Sequence, residues 1–396
     1  MKWHSLRNYN LNGKTVLVRV DYNVPLERGQ VSDNHRIKAT LPTIELLLAQ
    51  NCKVILATHL GRPEGRIVPE LRLNPVVMEL QTLLPKRKII KFDDCIGKEI
   101  KAVIQKSPGG TLFMLENLRF YKEEEQDHPI FTHALAHLAE VYVNDAFAVS
   151  HRHHASIQGI TEFLPSLAGL SLEKEVENLS HALHPERPAI WILGGAKLDK
   201  INLVQQALRK ADRILIGGAV AFSFLRAKKI PVGISKVDPH SVETALQVLR
   251  QRRSRKIVLP IDFVVAESFS PTAKTKIVKY NQLQNNHIGL DLGPETIALF
   301  KKYLYQARTI VWNGPLGYYE WAAFSTATKE IGRFIGSLTA TSIAGGGETA
   351  EALHKFHLDH RLTHVSTGGG AALEFLAGKK LPGLTALERN YKLFRL

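Results

Sequence analysis

The chain has 396 residues, of which 44% are hydrophobic and 22% charged, a composition that excludes a disordered chain and allows two or three globular cores. It carries 52 Lys and Arg against 37 Asp and Glu, a formal net charge of +15 that favours anionic partners, either phosphorylated metabolites or nucleic acid. Its two cysteines, Cys52 and Cys95, form no C-x-x-C pair, which excludes a disulfide framework and a cysteine zinc site.

The distribution of apolar residues predicts a soluble, cytoplasmic protein. No window approaches ~18 uninterrupted apolar residues, so a transmembrane helix is not expected. The first residues, MKWHSLRNYNLNGK, lack an apolar segment followed by small residues, so a secretory signal is not expected either.

The first half of the chain alternates strand-like and helix-like runs. KTVLVRVDYNV from Lys14 predicts a buried strand that runs into a polar loop, and RIKATLPTIELLLAQN has the period of a helix. CKVILATHLGR predicts another strand, and the alternation continues to VYVNDAF. Such alternation predicts βαβ units and a mostly parallel sheet with helices on both faces.

The second half repeats this pattern after one amphipathic helix. AGLSLEKEVENLSHAL predicts a helix that ends before the prolines of HPERP and connects two domains. From Ala189 the alternation restarts with AIWILGG and RILIGG and continues through KIVLPIDFVVAE. The final LPGLTALERNYKLFRL has too few apolar positions for a domain and is expected to pack back on another part of the chain.

Polar residues follow the strands of the first half, where ligands bind in open α/β sheets. The set consists of four arginines, a histidine, an aspartate and an asparagine: Asp21, Asn23, Arg36, His59, Arg62, Arg119 and Arg152. Because guanidinium groups bind carboxylate and phosphate through paired hydrogen bonds, the set predicts a site for a small phosphorylated acid. For any single arginine, a surface ion pair is an equally good interpretation.

Glycines dominate the corresponding positions of the second half. The residues there are Gly194, Gly195, Lys197, Lys200, Gly217, Gly218, Asn313, Gly314, Pro315 and Gly317, followed by triple-glycine turns at 345–347 and 368–370. Glycine lets the backbone approach a ligand, and the N–H groups at a helix N-terminus bind phosphate, so these turns predict a nucleotide phosphate site. The site is of an uncommon type, because neither G-x-x-x-x-G-K-[ST] nor G-x-G-x-x-G follows the strands that would need it.

The residues after the first triple glycine and several histidines are the candidates for a metal site. Glu348 and Thr349 follow the first triple glycine, where a carboxylate can hold Mg²⁺ and a hydroxyl can bind phosphate; the alternative for Glu348 is a favourable interaction with the helix dipole. Three groups of histidines lack matching Cys or Glu patterns and are expected to be solvated surface residues: His133 with His137, His151 with His153 and His154, and the four between 354 and 364.

The order of these motifs resembles the phosphoglycerate kinase family. The matching segments are RVDYNVP, DNHRIKA, THLGRP, LENLRF, VNDAF, SHRHHAS, ILGGAK, LIGG, AFSFL, DLGP, VWNGPLGYYEW, GGGET and VSTGGGAALEFLAGKKLPG. They run from about Leu11 to Leu387 with order and spacing kept.

The resemblance implies two similar-sized, doubly wound, mostly parallel-sheet α/β domains joined by a helix and hinge around a cleft. The expected division is an acid-substrate domain at 1–168, an interdomain helix at 169–185, a nucleotide-binding domain at 186–375 and a segment at 376–396 that packs toward the first domain. The activity implied is reversible in-line transfer between MgATP and the carboxylate of 3-phosphoglycerate after hinge closure. A monomer without membrane or specific nucleic-acid partners is expected.

The resemblance also assigns roles to individual residues. The acid would be bound by the seven residues already named, Asp21 to Arg152. The nucleotide would be bound by Gly195, Lys197, Lys200, Gly218, Leu290, Asn313, Pro315, Glu320, Gly347, Glu348 and Thr349, with Glu348 as the Mg²⁺ ligand. Charge on the phosphoryl group in transfer would be neutralised by Arg36, Lys200, Mg²⁺ and the amides of Gly368, Gly369 and Gly370.

Three positions depart from the family pattern. GGAKLDK is one residue shorter than usual between its two lysines, which would rotate a following helix by about 100° unless the turn absorbs the loss; we expect absorption and an essential Lys200. Glu348 stands where the family usually has Asp, which puts metal preference in question. Ala219 replaces a glycine beside the expected adenine site, which puts nucleotide selectivity in question.

Two other functions compete with this interpretation. An NAD-dependent dehydrogenase would need the missing G-x-G-x-x-G and would not explain the arginine-rich half. Nucleic-acid binding would use the +15 charge, but the strongest basic run, RQRRSRK from Arg250, is not interleaved with aromatic residues and is typical of a solvated helix end.

Overall fold

The computed structural model describes residues 2–196 and 201–394, with the side chains of residues 201 and 202 left aside. The described chain divides into two compact units. The first unit comprises Met1–Val176 together with Lys380–Leu396, and the second comprises Glu177–Lys379.

The first unit is built on a seven-stranded sheet in which every described neighbour pair is parallel. Its strands, with those of a small antiparallel hairpin, are β1 (His4–Ser5), β2 (Thr15–Arg19), hairpin strands β3 (Leu26–Glu27) and β4 (Gln30–Val31), β5 (Lys53–Ala57), β6 (Ile89–Lys91), β7 (Leu112–Met114), β8 (Val141–Asn144) and β9 (Ser166–Ala168). The order across the sheet is β1-β9-β8-β2-β5-β7-β6.

Helices cover both faces of this sheet. They are α1 (His35–Ala49), α2 (Asn74–Leu83), α3 (Lys98–Lys106), α4 (Lys122–Glu125) and α5 (Pro129–Ala136). Helix α6 (Leu170–Leu183) contains the division between the two units, which falls after Val176. Successive strand residues point to opposite faces, so Val16 and Val18 enter one hydrophobic cluster while Leu17 enters the other. A core on both faces explains why these strands read as continuous apolar runs.

The C-terminal helix, Pro382–Leu393, packs within the first unit. The amide of Asn390 is buried there: its oxygen accepts a hydrogen bond from the Ser166 amide at 2.8 Å, and its nitrogen donates to the carbonyls of Thr161 and Leu164 at 2.6 and 2.8 Å. One buried amide therefore joins this helix to the start of β9, across more than 200 residues of sequence.

The second unit contains a six-stranded parallel sheet and a three-stranded antiparallel sheet. The strands are β10 (Ala189–Leu193), β11 (Arg213–Ile216), β12 (Ile257–Val258), β13 (Asp262–Ala266), β14 (Lys276–Lys279), β15 (Ile288–Leu292), β16 (Thr309–Asn313), β17 (Thr341–Gly345) and β18 (His364–Val365). The parallel order is β12-β11-β10-β16-β17-β18, and the antiparallel order is β14-β13-β15.

The helices of the second unit follow its strands, in agreement with the βαβ pattern of the sequence. They are α7 (Ile201–Lys210), α8 (Val220–Ala227), α9 (Pro239–Leu249), α10 (Pro294–Leu304), α11 (Thr326–Ile335), α12 (Gly347–Lys355) and α13 (Gly369–Leu376). The predicted α/β class with mostly parallel sheets is confirmed. The run KIVLPIDFVVAE is split around Pro260, because proline cannot donate to a strand ladder; β12 and β13 belong to different sheets.

Across the described chain, no helix combines the length and apolar character needed to cross a lipid bilayer.

Candidate functional site

In the first unit, the loop after β2 and the start of α1 bring Asp21 and Arg36 together. The guanidinium of Arg36 donates a hydrogen bond to the Asp21 carboxylate at 2.6 Å, and the same carboxylate accepts one from the Asn23 amide at 3.3 Å. The Asn23 side-chain oxygen then accepts from the amide of Gly61, in the loop after β5, at 2.9 Å. Two strand ends are thereby tied to each other and to helix α1.

His59 lies beneath this loop and is 2% exposed. Its Nδ1 is 3.2 Å from a guanidinium nitrogen of Arg19, which is itself fully buried. Burial is the main cause that holds the pKa of His59 well below 6.5, and the charge of Arg19 acts in the same direction. The imidazole is therefore neutral at physiological pH.

The other arginines differ in their exposure. Arg119 is 8% exposed, donates to the Gly61 carbonyl at 2.9 Å, and places its Nε 3.3 Å from the Glu125 carboxylate. Arg62 and Arg152 have exposed side chains, and the charge of Arg152 helps to lower the pKa of Arg119, for which burial is the main cause. The predicted residues Asp21, Asn23, Arg36, His59 and Arg119 thus converge around the loop after β5, to which the exposed Arg62 also belongs. Arg152 lies in a different loop, from which its charge acts on Arg119.

Three buried residues that were not predicted from the sequence, Arg19, Ser156 and Glu124, form a hydrogen-bonded network next to His59. Arg19 donates from Nε to the Ser156 hydroxyl at 2.8 Å, and that hydroxyl donates to Glu124 at 2.6 Å. The Ser156 amide donates to the second oxygen of Glu124 at 2.9 Å, and Glu124 is fully buried. Burial raises the pKa of Glu124, while the positive charge of Arg19 lowers it. The sequence signal was present, because Arg19 is a charged residue within the apolar strand TVLVR.

In the second unit, three adjacent strands end at the same level of the sheet. Leu193 of β10 pairs with Asn313 of β16, which pairs with Gly345 of β17. A glycine follows each strand end, and the Gly194 amide donates to the Asn313 carbonyl at 2.7 Å. At Gly314, with φ +88°, a Cβ would lie 2.2 Å from the carbonyl carbon of Gly194. Glycine is therefore required for the two turns to pack this closely.

Thr349 connects the first triple-glycine turn to this strand edge. Its buried hydroxyl accepts a hydrogen bond from the Gly314 amide at 2.7 Å and donates to the Gly345 carbonyl at 3.0 Å. The Asn313 side-chain nitrogen donates to the same carbonyl at 2.6 Å. The Thr349 hydroxyl already donates its proton to a carbonyl of the protein. Only the backbone amide of this residue could therefore donate a hydrogen bond to a phosphate.

Two cavities of about 530 Å³ each open along these strand ends. The first, which we call the apolar cavity, includes the predicted residues Gly195, Gly218, Leu290, Pro315, Glu320 and Glu348. The second, the glycine cavity, includes the predicted residues Gly195, Asn313, Gly347, Glu348 and Thr349. They share Gly195, Ala196, Lys236 and Glu348. An apolar compartment that adjoins a glycine-rich one fits a base and its phosphates.

The walls of the apolar cavity include aromatic residues that the sequence analysis did not identify. Phe269 and Tyr318 lie with ring centroids 5.0 Å apart, and both contact Trp321 at 4.5 Å. Phe269 is 56% exposed although it is aromatic, and it lines the apolar cavity. Spacing could not reveal this group, because Phe269 and Tyr318 are almost fifty residues apart in the sequence.

The second triple-glycine turn lies at the sheet edge after β18. The Gly368 amide donates to the Ser366 hydroxyl at 3.1 Å, and α13 begins at Gly369. Gly368, Gly369 and Gly370 line neither cavity, although Leu373 of the same helix lines the glycine cavity. Lys197 and Lys200 lie outside the described residues.

Comparison with known proteins decides the family. A family model described as phosphoglycerate kinase matches residues 6–379. Phosphoglycerate kinases of Moorella thermoacetica and Dictyoglomus turgidum are 46% and 45% identical over 387 and 388 residues, in each case 97% of this chain and 98% of the relative. The chain belongs to the phosphoglycerate kinase family.

Solved structures agree with the assignment to the phosphoglycerate kinase family. That of the enzyme from Coxiella burnetii is similar with a TM-score of 0.89 and 36% identity, over 98% of this chain and 100% of that one. The enzyme from Pyrococcus horikoshii gives a TM-score of 0.86 and 32% identity over 99% and 100%. The activity is therefore the reversible phosphoryl transfer between ATP and the carboxylate of 3-phosphoglycerate.

Two of the residues that depart from the phosphoglycerate kinase pattern, Ala219 and Glu348, line the cavities. Ala219 has φ −66° and ψ −21°, a conformation that alanine adopts without strain, and its methyl group belongs to the wall of the apolar cavity. Glu348 lies exposed in the first turn of α12 and lines both cavities. A single carboxylate fits Mg²⁺, which completes its coordination with phosphate oxygens and water.

One expectation about the histidines was wrong. His154 is 6% exposed, and its Nδ1 lies 3.7 Å from Glu124, so it belongs to the buried support of the arginine cluster. Burial and the nearby Arg119 lower the pKa of His154 to about 3, which leaves it neutral. Among the described residues no group of three or more His, Cys, Asp and Glu is arranged to hold a metal ion.

Proposed function

We propose that the two units divide the substrates of the reaction. The first unit binds 3-phosphoglycerate through Asp21, Asn23, Arg36, His59, Arg62, Arg119 and Arg152. The second binds MgATP, with the base in the apolar cavity and the phosphates in the glycine cavity. The single observation that carries this proposal is that Gly195 and Glu348 line both cavities, so that an apolar compartment for a base adjoins a glycine-rich compartment for phosphates.

The residues of the acid site position a nucleophile that needs no base. A carboxylate is ionised at neutral pH, so its oxygen attacks the γ-phosphorus directly, the bond from phosphorus to the β-phosphate oxygen breaks, and ADP leaves without a proton transfer. We assign charge neutralisation at the transferring group to Arg36, to Lys200 and to the amides of Gly368, Gly369 and Gly370. Glu348 would hold Mg²⁺, which would supply positive charge near the phosphate oxygens.

Closure of the two units completes the site in this proposal. The acid ligands and the nucleotide ligands belong to different units, so transfer requires them to approach, and water must be excluded to prevent hydrolysis of ATP. Small-angle scattering with both substrates should show a smaller radius of gyration than with either alone. An unchanged radius would contradict closure.

We further propose a cytoplasmic monomer, for which light scattering should give a mass of about 44.2 kDa.

The experiment that tests the assignment is a coupled assay of ATP-dependent phosphorylation of 3-phosphoglycerate, followed as loss of NADH absorbance through glyceraldehyde-3-phosphate dehydrogenase. Arg36→Ala should chiefly lower kcat, whereas Arg62→Ala should chiefly raise KM for the acid. The reverse pattern would refute these roles. Lys200→Ala should be inactive, and near-normal turnover would move its role to another residue.

A further inference from the structure

Lys236 lies in the loop between α8 and α9, and its backbone is held on both sides. The Ser235 hydroxyl accepts a hydrogen bond from the Gly289 amide at 2.9 Å, and the Ile234 amide donates to the His287 carbonyl at 3.0 Å. On the other side, Asp238 accepts from the Ser241 amide at 2.9 Å and begins helix α9. The loop is thus fixed against β15, a strand that forms one wall of the apolar cavity.

The position of Lys236 relative to the two cavities is unusual. It lines both, and among the described residues that line either cavity it is the only cationic side chain. Most other cavity-lining residues belong to one compartment alone. A residue common to both stands where a bound nucleotide passes from its nucleoside to its phosphates.

The charges around Lys236 leave its ammonium available for a ligand. Within the described part of the chain it makes no ion pair or hydrogen bond through its side chain, which is exposed. The carboxylates that line the cavities are Asp291, Glu320 and Glu348. Asp291 is buried, and burial raises its pKa to about 7, so its negative charge is only partial at neutral pH. A flexible ammonium with no carboxylate in contact is suited to bind a phosphate as a point charge.

We propose that Lys236 binds the phosphate chain of the nucleotide at the junction of the two cavities, at the phosphate next to the ribose. This inference rests on the proposed nucleotide site. It adds a positively charged ligand to the glycine turns and to Lys197 and Lys200, and it strengthens the dependence of affinity on a phosphate. Its contribution is to binding and therefore to KM for the nucleotide.

Calorimetric titration with adenosine, AMP, ADP and ATP separates phosphate recognition from packing. Lys236→Met removes the charge but keeps an unbranched side chain of similar length, so adenosine affinity should be unchanged while AMP, ADP and ATP affinities fall by about tenfold or more. Lys236→Arg should recover part of that loss. Lys228→Met, an exposed lysine that lines neither cavity, should match the wild type for all four ligands.

The outcomes distinguish this inference from the proposed function. If the wild type binds ADP and Lys236→Met binds it equally well, Lys236 has no phosphate role and the nucleotide site stands. If adenosine and ADP weaken equally, the side chain acts by packing alone and the inference fails. If AMP is unaffected and only ATP weakens, the contact lies further along the chain than proposed. A wild type that binds no nucleotide would overturn the site itself.

Discussion

A guanidinium nitrogen of Arg19 lies 3.2 Å from Nδ1 of His59, and both side chains are buried. Because a guanidinium can only donate hydrogen bonds, Nδ1 must accept, and the proton of the neutral imidazole is on Nε2. Arg19 is held in turn by Ser156 and Glu124. The buried network therefore determines which nitrogen of His59 carries the proton.

We accordingly predict that His59 is a neutral donor throughout the working range of the enzyme. Its pKa lies well below 6.5, so its ring ¹⁵N signals should show a protonated Nε2 and no titration between pH 6 and 8. Arg19→Met should remove this tautomer preference and raise KM for the acid more than it lowers kcat. A His59 that becomes charged within this range in the wild type would contradict the prediction, and Arg19→Lys serves as the control that keeps a buried cation.

Gly314, after β16, and Gly347, in the first triple-glycine turn, give a matched pair of alanine variants. Gly314→Ala forces a Cβ to 2.2 Å from Gly194 at φ +88°, so we expect a loss of several kcal/mol in stability and no measurable nucleotide binding. Gly347→Ala meets no atom within 4 Å and should fold as the wild type does.

The effect of Gly347→Ala on ADP affinity is therefore a direct measure of how closely phosphate approaches the backbone at this residue. We expect a loss of about tenfold, since a methyl group would occupy the approach to the helix N-terminus. Thermal unfolding and calorimetric titration on the same samples separate the two effects. Unchanged ADP affinity in Gly347→Ala would exclude close contact there.

The hydroxyl of Thr349 should be important for structure rather than for direct phosphate binding. Thr349→Val leaves the Gly314 amide and the Gly345 carbonyl without this partner, so we expect a loss of about 1–3 kcal/mol in the free energy of unfolding. Thr349→Ser keeps both hydrogen bonds and should retain most of the stability and ADP affinity. A serine variant as defective as the valine variant would show that the methyl group matters and not the hydroxyl.

Much of this architecture could be predicted from the sequence because the signals are local. Strands such as TVLVR and KVILA are mostly apolar because both faces of the sheet are buried, and polar residues such as Asp21 and His59 follow within two residues of the strand ends. Arg19 was visible as a charge within an apolar strand, but its partners Ser156 and Glu124 are far away in sequence, and the environment of Lys236 likewise depends on distant residues. Nothing within a few residues of Lys236 marks it as a wall of two cavities.

Metal preference should depend on the length of the side chain at residue 348. Glu348 is exposed at the cavities, so its carboxylate can move, and Glu348→Asp shortens it by one methylene. We expect the variant to shift the ratio of activity with Mg²⁺ to activity with Mn²⁺, because Mg²⁺ demands stricter octahedral geometry. Titration of each metal in the coupled assay measures this ratio. Glu348→Gln, which should weaken both metals, is the control, and an unchanged ratio in the aspartate variant would refute the role.

The ionisation of Asp291 should make the second unit less stable as the pH rises. Its carboxylate accepts backbone hydrogen bonds from Leu292 and Ala327 at 2.9 and 3.1 Å, but burial outweighs them and raises the pKa from 3.8 to about 7. A raised pKa means that the fold favours the protonated form. The stabilisation that protonated Asp291 gives to the fold is complete below about pH 4 and is lost as the pH rises through 7.

The ¹³C signal of this carboxyl group should therefore titrate with a midpoint near 7 in the folded protein. Asp291→Asn identifies the signal by its absence and should flatten the fall in stability between pH 5 and 8. The amide keeps one acceptor only, so the variant should also be less stable at every pH, by about 1–3 kcal/mol. A midpoint near 4 would mean that the backbone hydrogen bonds outweigh burial, and the apolar cavity would then carry a full negative charge at neutral pH.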